Sequence, residues 1–230
     1  MTSLKPTSLA RLAALAAIAI LHGCASAPAA SNQEPAAPSS PLAGMIGRQL
    51  IVLPAQYLST PGPGGTWEIV RGGPVLLPIL DEEIADAFRK RGVKSNWTFA
   101  GDITASADRN GGLVADPREL ASQGIRKIKA GDTPLPEPLA SQIRGLVALT
   151  SARFVVLPIE VHMDTRNGER KGSLRVLYVD ARTARVLWAD DVNSLVQRDP
   201  RVVSESATPY GFRMLARELA SGFADMVVAQ

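Results

Sequence analysis

The side chains that could do chemistry are few and far apart. Of two histidines in 230 residues, His22 sits in an N-terminal apolar segment, which leaves His162 as the one imidazole of the rest of the chain. It falls in an apolar stretch that reads as a half-buried strand, where a single histidine is expected to be structural. Cys24 is the only cysteine, so no internal disulfide can form, and a zinc or copper site would have to be built from carboxylates alone. No metal or other cofactor is expected. Acidic clusters occur only at Asp81-Glu82-Glu83 and Asp190-Asp191. A carboxylate pair can hydrolyse a glycosidic bond when held about 5–9 Å apart, but the first cluster reads as the capped start of a helix and the second as the point where a strand leaves its sheet. Gly62-Pro63-Gly64-Gly65 lacks the Lys-Ser/Thr of a phosphate-binding loop, and a serine triad would depend wholly on His162. The chain is expected not to be an enzyme, with a carboxylate-dependent hydrolase as the enzymatic alternative.

The elements around these residues begin with a leader. Lys5 and Arg11 flank the start of an uninterrupted apolar run, Leu12 to Leu21. Its charge and length are those of a signal peptide, and it is too short for a bilayer span of about 20 residues. The run leads into Leu21-His22-Gly23-Cys24, which resembles the lipobox of bacterial lipoproteins, with His22 where a small residue is usual. That resemblance implies a signal peptide over 1–23, cleavage after Gly23 and lipid on Cys24. Two or more acyl chains would tether the protein stably to a membrane, where one alone is marginal. Ala25 stands where the same resemblance would have an aspartate for inner-membrane retention, which points to the outer membrane with the protein facing the periplasm. Residues 24–44 are almost wholly Ala, Pro, Ser, Asn and Gln and read as a spacer, reaching about 3.1 Å per residue where polyproline-like. Residues 45–230 suit one globular domain. Lys5 and Arg11 supply two of the net +3 charges. The remaining bases are interspersed with acids and aromatics are sparse, so no nucleic-acid partner is expected.

Within the domain, Leu50–Pro54 reads as a buried strand and Ser59–Gly73 as a long Gly/Pro-rich loop holding a small strand at Trp67–Val70. Loops of that length are often functional, and an exposed Trp67 would make a contact hot spot. Trp67, Tyr57 and Arg71 are the candidate interaction residues, against a reading in which Trp67 folds back over the sheet. Asp81 is placed to cap a helix with Glu82 and Glu83 in its first turn, Lys90 and Arg91 in its last, and Leu80, Ile84 and Phe88 on its buried stripe. A short strand at Asn96–Phe99, helices at Ile103–Asp108 and from Asp116, a loop through Lys129–Pro138 and a helix over Pro138–Ser151 follow. Arg153–Met163, Gly172–Asp180 and Arg185–Val192 then predict an antiparallel meander, with Leu174, Val176 and Tyr178 on one side of the second strand and Val186, Trp188 and Asp190 on one side of the third. Thr208-Pro209 opens a closing helix with Phe212, Leu215, Leu219, Phe223 and Met226 along its inner stripe. The expected fold class is α/β or α+β: a single mixed sheet with a C-terminal three-stranded antiparallel meander and helices packed against it.

Three landmarks carry a further resemblance: Pro54 at the end of the first strand, Ala152-Arg153-Phe154-Val155-Val156 after a helix, and Asp180-Ala181-Arg182-Thr183-Ala184 before a strand reaching Trp188. In this order they resemble the periplasmic domains of the TolB N-terminal and CsgG families and the anticodon-binding-like domain of the lipoprotein activators of penicillin-binding proteins. The resemblance implies a fold more than a function. Ala184 stands where those families place a turn glycine, which suggests a turn without a positive φ there. The expected role is a non-enzymatic, membrane-anchored envelope lipoprotein that docks onto, or helps assemble, another envelope protein. Binding of a small ligand or glycan is the alternative, which a pocket lined by Trp97, Tyr178 or Trp188 would favour. Oligomeric state is not indicated.

Overall fold

Pro54 breaks the first strand in two, and the break sets the plan of the sheet. A computed structural model describes residues 42–63, 66–71, 75–93, 96–129 and 133–228; the leader, Cys24 and most of the spacer lie outside the described residues. The strands are β1 (Leu50–Val52), β2 (Tyr57–Pro61), β3 (Trp67–Arg71), β4 (Trp97–Thr98), β5 (Thr133–Pro134), β6 (Phe154–Asp164), β7 (Lys171–Asp180) and β8 (Arg185–Asn193). The helices are α1 (Leu76–Lys90), α2 (Ala100–Arg109), α3 (Leu139–Ala148), α4 (Pro200–Ser204) and α5 (Pro209–Val228). One mixed sheet runs in the order β3-β2-β6-β7-β8-β5, with β1 lying between β4 and the first half of β6. This is the expected mixed sheet, with β6, β7 and β8 as its antiparallel meander.

β1 and β2 both pair in parallel with β6, β1 along Phe154–Val156 and β2 along Glu160–His162. Between them the chain lacks a regular ladder, and buried backbone groups there need other partners. Gln56, fully buried, supplies them. Its amide nitrogen donates to Pro54 O at 2.7 Å and Pro117 O at 2.9 Å, and its oxygen accepts from Leu120 N at 3.3 Å. This side chain thus takes up Pro54 O and pins residues 117–120 onto the break, while Leu53 N and Gln56 N donate to β6 and Ala55 N to Asp81.

Alternation along the strands builds two cores. One face carries Val156, Val161, Leu174, Val176 and Trp188 against α1 and α5, whose Phe88, Phe212, Leu219 and Phe223 are fully enclosed. The other carries Ile51, Val155, Leu157, Leu177 and Val179 against α2, α3 and Leu120 and Ile125 of the intervening segment. That second cover stops short. Farther along the same face, His162 is half-exposed, Lys171 and Asn193 are exposed, and Ser173 is only partly covered.

Several expectations need correction. Most of Ser59–Gly73 is no loop: β2 and β3 form an antiparallel hairpin from Tyr57↔Arg71 to Pro61↔Trp67, because β2 has β6 to pair with. Asp81 caps nothing, since α1 begins five residues earlier at Leu76 with Pro78 in its first turn, where the missing N–H costs little. No helix starts at Asp116; its carboxylate accepts from Arg118 N at 2.8 Å and closes a turn, while Gln56 takes the next polar groups. The loop before α3 contributes β5, paired with Val186 and Arg185 of β8. Ala184 does adopt a positive φ, +53°. Asp180 holds that turn by accepting from Arg182 N and Thr183 N, so the left-handed position survives without glycine at a cost of about 1 kcal/mol. Val186 and Trp188 face opposite sides, because Leu187 bulges out of a register that pairs Val179 with Val186 and Tyr178 with Trp188. In α5 the fully enclosed residue of the last turn is Val227, with Met226 partly buried.

Candidate functional site: the bare end of the sheet

In an antiparallel or parallel pair, directly opposed residues share a face. Register therefore gathers Trp67 and Ile69 of β3, Ser59 of β2, Glu160 and His162 of β6, Ser173 and Arg175 of β7, and Asp191 and Asn193 of β8 on one surface. Trp67 is 38% and Ile69 47% exposed. The indole meets the His162 ring edge-on, with centroids 5.2 Å apart, and the Arg166 guanidinium sits 4.9 Å over it. Arg166 is itself oriented by a bidentate pair to Asp164, both contacts at 2.9 Å. That guanidinium holds the Asp164 carboxyl down at about 2. Trp67 thus both leans on the sheet and remains available. Beside it lies a cavity of about 400 Å³ bordered by Trp67, His162, Lys171, Ser173, Asn193 and Val196. Among the described residues β3 is the terminal strand on this side.

Beneath this surface is a buried ionic network. Glu160 accepts from Arg126 Nε at 2.7 Å, and also from Arg126 Nη2 and Ser59 Oγ, while His162 Nε2 lies 3.3 Å from its Oε1. Burial pushes the Glu160 carboxyl up, but the Arg126 guanidinium, the Ser59 hydroxyl and His162 outweigh it and hold it below the usual value. Arg126 also covers the Tyr57 ring at 5.2 Å. Tyr57 is buried, so it supports the surface from below. The backbone of Arg71 pairs with Tyr57, and its side chain lies outside the described ones. Sequence reading singled out Trp67 but missed Ile69, Glu160, Ser173 and Asn193. The signal was present as a period-two polar stripe at the strand ends, Glu160-His162-Asp164, Lys171-Ser173-Arg175 and Asp191-Asn193, since a face that turns polar halfway along has no cover there.

The acidic clusters are tied up elsewhere. Asp81, buried in α1, accepts from Ala55 N at 2.9 Å and from Arg118 at 3.0 Å. Burial outweighs both contacts and pushes its carboxyl up to about 6. Glu83 is gripped by Arg213 and Arg217, at 2.9 and 3.2 Å. Asp81, Glu83, Arg118 and Arg213, with Glu82, Asp86 and Asp102, border a groove of about 460 Å³. Asp191 holds Arg175 at 3.0 Å, and Asp190 is exposed beside it. Trp97, Tyr178 and Trp188 are all core residues. Among the described residues no group of three or more His, Cys, Asp or Glu is arranged to hold a metal ion, and no helix is long and apolar enough to cross a membrane.

No protein-family model and no curated protein matches the chain. Among solved structures it is similar to the LpoB C-terminal domain from Salmonella enterica, at 9% identity over 67% of this chain and 93% of that one, with a TM-score of 0.32. It is similar to lipoprotein GNA1162 from Neisseria meningitidis at 13% identity over 63% of this chain and 77% of that one, with a TM-score of 0.33. A dodecameric PelC variant from Paraburkholderia phytofirmans gives 11% identity over 78% and 90%, with a TM-score of 0.34. At these identities and scores the likenesses carry no argument about family or function.

Proposed function

We infer that this chain is a lipid-anchored envelope protein whose domain docks another envelope protein on the bare end of its sheet. The lipobox-like Leu21-His22-Gly23-Cys24 supplies the address. The observation that carries the docking reading is the juxtaposition of half-exposed Trp67 and Ile69 on a terminal strand beside a cavity of about 400 Å³. A terminal strand can accept an extended segment of a partner through main-chain hydrogen bonds, with alternate side chains read by the neighbouring surface. The partner is an extended, largely apolar segment: one side chain fills the cavity against Trp67, and the next packs on Ile69. The local charges already pair, Arg166 with Asp164 and Arg175 with Asp191, so recognition is by shape and apolar contact and is insensitive to salt.

A photo-crosslinking residue placed at Ile69 in the native envelope tests this. A single envelope protein should be captured there and not from the same residue placed at Arg144 on the exposed side of α3, and Trp67→Ala should abolish the capture, as loss of a central aromatic anchor costs at least about 2 kcal/mol of binding. Capture at both positions, or capture indifferent to Trp67→Ala, would refute the docking surface. Lipid on Cys24 is tested separately by mass spectrometry of the wild-type chain and by loss of membrane fractionation in Cys24→Ala.

A further inference from the structure

The other end of the sheet is built differently. β6 spans Phe154 to Asp164, and at about 3.3 Å per residue its ends stand roughly 33 Å apart. Leu42 and Met45 are buried in the core, and the chain then runs exposed from Ile46 through Gln49 into β1 at the Phe154 end. Gln49 Nε2 donates to Thr150 O at 2.6 Å and fixes that approach. Residues 46–49 therefore lead into the sheet at the end opposite Trp67.

At this end two guanidiniums share one ring. Arg48 and Arg153 each place their Cζ 4.9 Å from the centroid of Phe154. Together with Gln49 and Ser151 they border an open depression of about 520 Å³. Arg153 is paired with Asp180 at 2.5 Å. Arg48 rests against the Phe154 ring and, among the described residues, pairs with no carboxylate. Arg182, two residues after Asp180 on the following turn, is exposed. Of the two guanidiniums that border the depression, only that of Arg153 is thus paired with a carboxylate among the described residues. Ser151, on the rim, holds φ at +56°, a left-handed conformation that residues with a side chain seldom adopt.

We propose that this end of the domain rests on the bilayer, with Arg48 and Arg153 clasping the phosphate of an anionic phospholipid headgroup. Guanidinium presents a planar fork matched to phosphate oxygens, and the Phe154 ring keeps both forks in place before the phosphate arrives. An anionic lipid surface also meets the charge left uncompensated here, at the end where residues 46–49 enter β1. The inference rests on the lipid-anchor reading, since an acyl chain on Cys24 is what keeps the domain beside a membrane. With the Phe154 end seated, the Trp67 surface faces away from the lipid.

The test is flotation of the full mature chain carrying Cys24→Ser, which cannot be acylated, with two kinds of vesicle. It should float with vesicles of phosphatidylcholine and phosphatidylglycerol and not with phosphatidylcholine alone, and the binding should weaken as salt rises. Arg48→Ala should reduce it about fivefold and Arg48→Ala with Arg153→Ala about 25-fold, while Trp67→Ala leaves it unchanged. Arg48→Ala alone separates binding from folding, because it strips no carboxylate of its partner. Equal binding to both vesicles, or phosphatidylglycerol binding indifferent to Arg48→Ala, would overturn the proposal. Calorimetric binding of glycerol phosphate in solution, without flotation, would assign the depression to a free phosphate and overturn the membrane contact. An unacylated Cys24 in the native chain, with phosphatidylglycerol binding intact, would remove the anchor and leave the headgroup site standing.

Discussion

Asp81 and Glu160 are both carboxylates sealed within one domain, and their surroundings shift them in opposite directions. Asp81, on the inner side of α1, has one backbone N–H and one arginine, and burial wins: its carboxyl is pushed up to about 6. Glu160, under the Trp67 surface, has a bidentate Arg126, the Ser59 hydroxyl and a neighbouring His162, and together these outweigh burial and hold it below the ordinary value of 4.5. A buried acid's carboxyl is thus pushed up or held down according to how many donors the fold closes around it, since removing a charge from water costs several kcal/mol that only close partners return. The bare surface accordingly stands on a rigid, charged foundation. The groove beside α1 stands on a group that titrates.

The largest effect that can break this comparison is in stability. Glu160→Ala leaves Arg126 mostly buried beside a cavity and should cost about 3–5 kcal/mol, read from the urea midpoint. A loss below about 1 kcal/mol would place Glu160 with ordinary surface pairs. The second effect is in pH. Asp81 has a folded value near 6 against an ordinary 3.8, so its ionisation opposes folding, and wild-type stability relative to Asp81→Asn should fall by about 3 kcal/mol as pH rises from about 3 to about 7. Glu160 works with the opposite sign: its contribution is complete above about 4.5 and is lost as pH falls through its lowered value. A wild-type to Asp81→Asn difference that stays flat across that window would erase the contrast. The smallest effect sharpens it. Ser59→Ala removes one hydroxyl donor to a charged group and should cost about 1.5–3 kcal/mol, while Arg126 keeps Glu160 ionised, which the side-chain carboxyl chemical shift of Glu160 would report.

Much of the architecture was legible because it is local. The meander follows from alternation in Phe154–Asp164, Lys171–Asp180 and Arg185–Asn193, and α5 from the spacing of Phe212, Leu215, Leu219 and Phe223. What failed was decided by distant partners. The Ser59–Gly73 segment reads as loop from its glycines and prolines, and becomes a hairpin only because β2 finds β6 a hundred residues on. Asp81 looks like a cap because its neighbours are acidic, yet its partners are Ala55 and Arg118, 26 and 37 residues away. The bulge at Leu187 is invisible in the alternation it interrupts, and it alone turns Val186 and Trp188 to opposite faces. Trp67 was singled out from its residue type; the surface around it was not, because it is assembled from five strands.

By itself the sequence determined the lipobox-like leader, the single imidazole left beyond it, and the kind and order of most elements, since charge, residue type and period-two or period-3.6 patterning are properties of neighbouring residues. Tertiary structure decided which half of one sheet face stays bare, at which end of the sheet residues 46–49 enter β1, and which buried acid has its carboxyl pushed up. These depend on where α2 and α3 come to rest and on which guanidiniums close over each carboxylate. Cover and charge compensation are set by groups far apart in the chain, and only the folded packing brings them within a hydrogen bond of one another.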